Sequence, residues 1–290
     1  MKPPPFTYHD PRTIPDVLDL LAEKDNARLL SGGQSLMPML NMRYVLPDDV
    51  IDLNLVDGLS GIEAANGSLR IAGMTRQRDI EFSDAVSACC PIMTEAILQV
   101  GHRQTRNRGT LGGSLAHLDP SAELPAVAMA LDATIHVESK RGRRDIAMAD
   151  FPAGYMTPSI ELDEMVTAAT FPLWDDGHGY AFIEFARRHG DFAIVSAAAL
   201  LTVDGAGRVD RVSVTVSGVG PSPVRCTEAE DMIMGQTPEL ELFREAAETA
   251  RAYDAMEDVH APSSYRQHLA AVLSRRALEK AQTRLGGSNG

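Results

Sequence analysis

At 290 residues the chain exceeds what one ordinary core fills and suits two or three packed units. Its 40 acidic against 27 basic side chains, a formal net charge of -13, oppose a polyphosphate backbone and exclude nucleic acid as an expected partner. No stretch reaches membrane-spanning length and Met1 to Tyr8 lacks a signal-type apolar segment, so the expected compartment is the cytoplasm.

The first unit, residues 1–55, opens a helix at Thr13-Ile14-Pro15-Asp16, with Thr13 as cap and Pro15 in the first turn. Ile14, Val17, Leu18 and Leu21 recur at helical spacing, and that apolar face needs a sheet to cover it. Ala27 to Leu30 and Val50 to Leu53 read as its strands. The second unit, 56–177, begins with a strand at Leu69 to Gly73 and a helix at Pro91 to Val100. A glycine-rich turn at Thr110 to Ser114 follows, then a helix over Pro125 to Leu131 and a strand at Thr134 to Glu138; the basic turn Lys140 to Arg144 reads as solvated. The third unit, 178–285, places strands at Ala197 to Val203 and Val209 to Val216 around the hairpin signal Asp204-Gly205-Ala206-Gly207. Helices over Leu240 to Ala252 and Tyr265 to Leu285 close it, and 286–290 reads as a frayed, flexible tail.

Two glycine pairs carry the chemistry. Ser31-Gly32-Gly33-Gln34-Ser35 follows the strand ending at Leu30, and Thr110-Leu111-Gly112-Gly113-Ser114 repeats its character. Consecutive backbone N–H groups in such turns hold a dinucleotide diphosphate, since glycine permits positive φ and close approach. Taken singly, each pair is more often a plain tight turn than a ligand site; their joint occurrence in a strand-then-polar context favours the ligand. G-x-G-x-x-G is absent, which argues against a Rossmann fold. Asp119 and Glu123 lie where a carboxylate would accept from ribose hydroxyls; Asp119 before Pro120 also reads as a helix cap, and Glu123 is open between the two roles. His102, Arg103, Arg106 and Arg108 read as a solvated basic face, with counter-charge for phosphate or pairing with a partner subunit as the alternatives. Arg187-Arg188-His189-Gly190-Asp191-Phe192 is either a surface turn or a cation and an aromatic ring for an isoalloxazine edge. Cys89, Cys90 and Cys226 have no zinc or iron–sulfur spacing, so a metal redox centre is expected elsewhere and these read as reduced thiols.

The run from Gly101 to Pro125, GHRQTRNRGTLGGSLAHLDPSAELP, resembles the medium, FAD-binding subunit of the xanthine dehydrogenase and carbon monoxide dehydrogenase family. Ser31 to Leu36 resembles its first FAD loop and Arg187 to Ala193 its third recurring segment, and the resemblance spans essentially the whole chain. It implies an α+β fold: a two-subdomain FAD-binding module of the p-cresol methylhydroxylase type, with FAD between the subdomains, and a C-terminal α+β domain of antiparallel sheet and helices. It implies partners: a large molybdenum–pterin subunit and a small subunit with two [2Fe-2S] clusters, as a dimer of heterotrimers, with NAD, oxygen or a quinone accepting the electrons. By position, Leu30 to Ser35 and Thr110 to Ser114 would meet the diphosphate and adjoining groups, Glu123 and Asp119 polar parts of the cofactor, and Phe192 the flavin ring, with Val166 as a further candidate. No catalytic and no metal-ligating residue is assigned. FAD is expected to be non-covalent, since Gln34 stands where a histidine often does; His117 is the other position for attachment. Ser114, where carbon monoxide oxidisers of the family tend to carry asparagine, tilts the expected substrate toward an N-heterocycle, a purine or an aldehyde.

Two rival readings differ in class. A stand-alone flavin reductase on the same fold would need its own acid or nucleophile, and the third unit offers only isolated Ser and Glu residues. A non-redox nucleotide-binding protein would take ADP or ATP as readily as FAD.

Overall fold

A computed structural model describes residues 2–286; of the tail expected at 286–290, residues 287–290 lie outside the described residues. Three sheets of three or more strands follow one another along the chain, beside one two-stranded hairpin. The first is parallel, in the order Thr7–His9, Asp49–Asp52, Ala27–Leu30. Helix Ile14–Glu23 covers it, started by Thr13, whose hydroxyl accepts from the Asp16 N–H at 3.3 Å. Its Val17, Leu18 and Leu21 are buried with Ile51 and Leu53, as the spacing requires.

The second sheet is antiparallel, in the order Ile62–Ala65, Ser68–Ala72, Met165–Pro172, Thr134–Ser139, Gly142–Ala147. Its central strand arrives last in sequence. The turn at 140–144 is paired rather than merely solvated: Lys140 meets Asp19 at 2.7 Å, and Arg144 grips Glu164 with two nitrogens at 2.7 Å. The third sheet runs Gly179–Phe185, Val195–Val203, Val209–Ser217, Val224–Arg225, all antiparallel, with the Asp204 to Gly207 hairpin where the dipeptide signals put it. The α+β class expected from the sequence is the one observed.

Helix Glu123–Ala130 is buried at every position. It packs on the two central strands of the third sheet and on helices of the second unit, which is why its sequence, ELPAVAMA, shows no polar stripe. Polar ties flank it. Ser213 Oγ donates to Ala130 O at 2.7 Å, and Ser217 Oγ and Gly218 N both donate to Pro120 O. Glu95 adds a further clasp, accepting from Phe182 N at 3.0 Å, from Arg284 at 3.0 Å and from Lys280. Burial works against its charge, yet those donors more than offset it and hold the carboxyl below its ordinary value.

The C-terminal helix, Ser263–Gln282, inserts Arg266 into the third core. The guanidinium donates to Ile194 O at 2.6 Å, to Gly218 O at 2.7 Å and to Asp258 at 2.8 Å. Truncation leaves two buried carbonyls and a carboxylate without that partner, and bonds to a charged group contribute more than neutral ones. Arg266→Met should therefore lower the unfolding free energy by about 3 kcal/mol, read as a lower urea midpoint at unchanged slope.

Candidate functional site

A cavity of about 600 Å³ opens between the first and second sheets, within the range of small-molecule sites. The loop after strand Ala27–Leu30 forms one wall and the segment around Thr110 the other, and they touch. A Cβ on Gly32 would stand 2.2 Å from the carbonyl oxygen of Arg108, so no other residue fits without displacing backbone. Beside that contact the hydroxyls of Ser31 and Thr110 lie 2.6 Å apart. Gly33 takes φ +73° and turns the chain into the short helix Leu36–Asn41.

The second glycine pair differs from the turn expected of it. Thr110 caps a helix, Leu111–His117, and the two glycines sit in its first turn. Their amides are committed: Gly112 N donates to Gly73 O at 2.8 Å and Gly113 N to Thr110 Oγ1 at 3.1 Å. Gly112 is there for packing, since a Cβ would lie 2.8 Å from the Gly73 carbonyl oxygen. The first loop is the opposite case. Among the described residues no intramolecular acceptor takes the N–H of Gly32, Gly33, Gln34 or Ser35, so four donors at the cavity wall are available to a ligand.

The cavity brings together nearly all the candidate residues. Ser31 to Ser35, Thr110, Gly112 to Ser114, Asp119, Glu123, Val166 and Phe192 line it. Leu30 and Leu111 do not. Leu30 ends its strand and packs toward Gly33, while Leu111 is fully buried in the second core. Asp119 is no helix cap: its Oδ1 accepts from Ser121 N at 2.9 Å in a turn, and the helix starts at Glu123 with Ala122 in the cap position. Phe192 is 66% exposed at the cavity wall, in a loop whose Gly190 packs on the His102 ring. Arg106 of the expected basic face is buried, donating to Glu81 at 2.8 Å and to Val100 O at 3.0 Å. Its role is structural.

Sequence reasoning missed the brace behind the walls. Arg76 donates through one nitrogen to Arg108 O and through another to Asn54 Oδ1, each at 2.5 Å, and Asn54 in turn donates to Ser31 O at 3.1 Å. Both residues sit beyond the glycine motifs; the one available signal was Gly73, ending a strand just before Thr75-Arg76. Met156 to Leu162, in part a two-stranded hairpin remote in sequence, also contributes to the wall.

The electrostatics of the far end are set by burial. Burial, reinforced by Glu184 and Asp119, pushes the Glu123 carboxyl up to about 8, and burial pushes Glu184 up to about 7. His117 moves down, again through burial, and is a neutral imidazole at neutral pH. This donor set fits a dinucleotide: free amides and hydroxyls for the diphosphate, a protonated carboxyl that both donates and accepts for polyol oxygens, and an apolar remainder for ring systems. Cys90 and Cys226 are buried thiols pushed up to about 12 by desolvation, and Cys89 is half-buried. No group of three or more potential metal ligands occurs among the described residues.

Residues 4–174 match the family described as FAD binding domain in molybdopterin dehydrogenase, and 180–281 the CO dehydrogenase flavoprotein C-terminal domain. Among known proteins, the chain is 38% identical over 283 residues to the 6-hydroxypseudooxynicotine dehydrogenase complex subunit alpha of Paenarthrobacter nicotinovorans, covering 97% of this chain and 96% of that one. It is 37% identical to the nicotine 6-hydroxylase medium subunit of the same organism, over 98% and 100% of the two chains. A solved structure of carbon monoxide dehydrogenase from Hydrogenophaga pseudoflava superposes with a TM-score of 0.96 at 32% identity, covering 99% of this chain and 100% of that one.

The raised Glu123 has a testable sign. The folded protein keeps a proton that the unfolded chain releases near 4.5, so this residue's contribution falls as pH rises from about 4.5 to about 8. Glu123→Gln, which cannot ionise, should raise the melting temperature of cofactor-free protein by about 3 °C or more near pH 9, with little change near pH 5. A thermal scan at the two pH values checks it.

Proposed function

Because the chain belongs to the FAD-binding medium-subunit family of the molybdopterin dehydrogenases, we propose that it is the electron-transfer subunit of a molybdenum hydroxylase complex. In this reading the chain takes electrons from [2Fe-2S] clusters on a small subunit and passes them to NAD, oxygen or a quinone. A large subunit holds the molybdenum–pterin centre, the assembly is a dimer of heterotrimers, and it works in the cytoplasm. Residues 1–55 and 56–177 act as the two FAD-binding subdomains and 178–285 as the C-terminal domain. The observation that carries the reading is the cavity bounded by the first glycine loop, with four amides that lack an intramolecular acceptor among the described residues, and by the segment around Thr110 that touches it.

FAD bound there supplies reversible one- and two-electron chemistry. The chain's own part is to bind and orient. Gly32 to Ser35 would hold the diphosphate by main-chain N–H groups, and the Ser31, Thr110 and Ser114 hydroxyls would reach the adjoining oxygens. Glu123, carrying a proton at neutral pH, would donate to a polar group of the cofactor while Asp119 accepts. Phe192 and Val166 would give the ring system apolar cover. Gln34, rather than a histidine, in the first loop supports a cofactor held without a covalent bond.

The two relatives from P. nicotinovorans are named for action on pyridine compounds, which supports an N-heterocycle as the substrate of the complex. Their designations as subunits also favour a partnered protein over a stand-alone reductase.

Two experiments test this. The isolated folded chain should turn yellow with FAD and release all of it to the supernatant on heat denaturation; Gly32→Ala, which must move the Arg108 carbonyl, should weaken binding by about tenfold or more, equivalent to roughly 1.4 kcal/mol. Absence of flavin absorbance from the wild-type chain removes the proposal. Purified from its native host, the chain should bring down one large and one small subunit, and metal analysis of that complex should find molybdenum and iron.

A further inference from the structure

The cavity is poor in positive charge. Among the described lining residues Arg28 carries the one guanidinium, directed to its neighbour Ala27 O, against the carboxylates of Asp119, Glu161 and Glu164, with Glu123 protonated at neutral pH. In a chain of net charge -13, a doubly anionic diphosphate needs a counter-charge beyond main-chain dipoles. Two arginines meet at the loop contact. Arg76 is half-buried and braces Arg108 O and Asn54. Arg108 is exposed and ends the helix Arg103–Arg108, its carbonyl lying against Gly32. Among the described residues neither comes within ion-pairing distance of a carboxylate, in contrast to Arg106, Arg144, Arg225 and Arg266.

Their positions bear on the loop contact itself. The Arg108 carbonyl oxygen is wedged between the Arg76 guanidinium and the Gly32 Cα, so a single C=O group separates the cation from the first loop. Arg76 is held below the ordinary arginine range by burial first and by the Arg108 charge second, with Asp79 and Asp52 acting in the opposite sense. A partly buried cation beside a like charge, with no carboxylate in ion-pairing contact, is favoured further when an anion arrives.

Resting on the FAD reading above, we propose that Arg76 and Arg108 are the electrostatic half of the diphosphate site: positioning residues that touch no ligand atom but supply the positive potential that the lining lacks. Arg76 does so while fixing the gap between the loops. The class of ligand recognised through this charge is a nucleoside diphosphate moiety, and the rings on either side do not share in it.

The test compares ligands with and without the diphosphate. Thermal-shift titrations with ADP and with adenosine give an affinity ratio for the wild-type chain, and FAD titration gives the dissociation constant. Arg76→Gln should lower the ADP-to-adenosine ratio about tenfold, a loss expected for one partly buried charge, with adenosine binding held. Arg76→Lys, which keeps the charge but not the fork, should retain most of the ratio. A brace of purely mechanical importance would instead weaken both ligands together in Arg76→Gln. Should that variant not fold, Arg108→Gln, altering an exposed side chain, decides, with an expected fall of about threefold. An unchanged ratio in the folded Arg76→Gln, or in Arg108→Gln where that is the one available, overturns the proposal while leaving FAD uptake by the wild-type chain intact.

Discussion

The site depends on one contact, the seating of the Gly32 Cα on the main-chain carbonyl of Arg108. Everything nearby serves that approach. Arg76 holds the same carbonyl from behind, Asn54 holds Ser31, and the Ser31 and Thr110 hydroxyls meet across the seam. Because the seam joins main chain to main chain, it defines the cavity width with little dependence on side-chain rotamers. A glycine is required there for a steric reason, independent of any need for positive φ.

The two glycine pairs look alike in sequence and act differently. In the first, among the described residues, the amides have no intramolecular acceptor and belong to residues that line the cavity. In the second the helix Leu111–His117 consumes them, and absence of a side chain lets that helix press onto Gly73. One pair is thus a donor array and the other a hinge-free joint that delivers Thr110, Ser114 and His117 to the wall. The distinction lies in the three residues that follow each pair, Gln34-Ser35-Leu36 against Ser114-Leu115-Ala116, of which the latter continue a helix already capped by Thr110.

Apart from Phe192, the third unit reaches the cavity indirectly. Its sheet backs the wholly buried helix Glu123–Ala130, and Ser213, Ser217 and Gly218 satisfy carbonyls at both ends of that helix. Burial raises Glu123 first, and Glu184, on strand Gly179–Phe185 of the third sheet, adds to it, so the C-terminal sheet contributes to the protonation of a cavity carboxyl. The same packing carries the Glu95 clasp to Phe182, Lys280 and Arg284.

Local signals were enough for some of the elements. Thr13 and Pro15 marked a helix start, and alternation with Asp204 to Gly207 marked a hairpin, because caps and turns are settled by neighbours in sequence. The stretch Gly101 to Pro125 was enough to place the chain in its family, and the α+β class followed. Tertiary structure alone decided which amides stay free, that Leu30 and Leu111 do not line the cavity, and that Arg76 and Asn54 brace the loops. The deciding partners are many residues distant, such as Gly73 for Gly112 or Arg108 for Arg76. A sequence specifies its near neighbours through backbone geometry, whereas the partner of a buried donor is chosen only when the sheets have packed and water has been excluded.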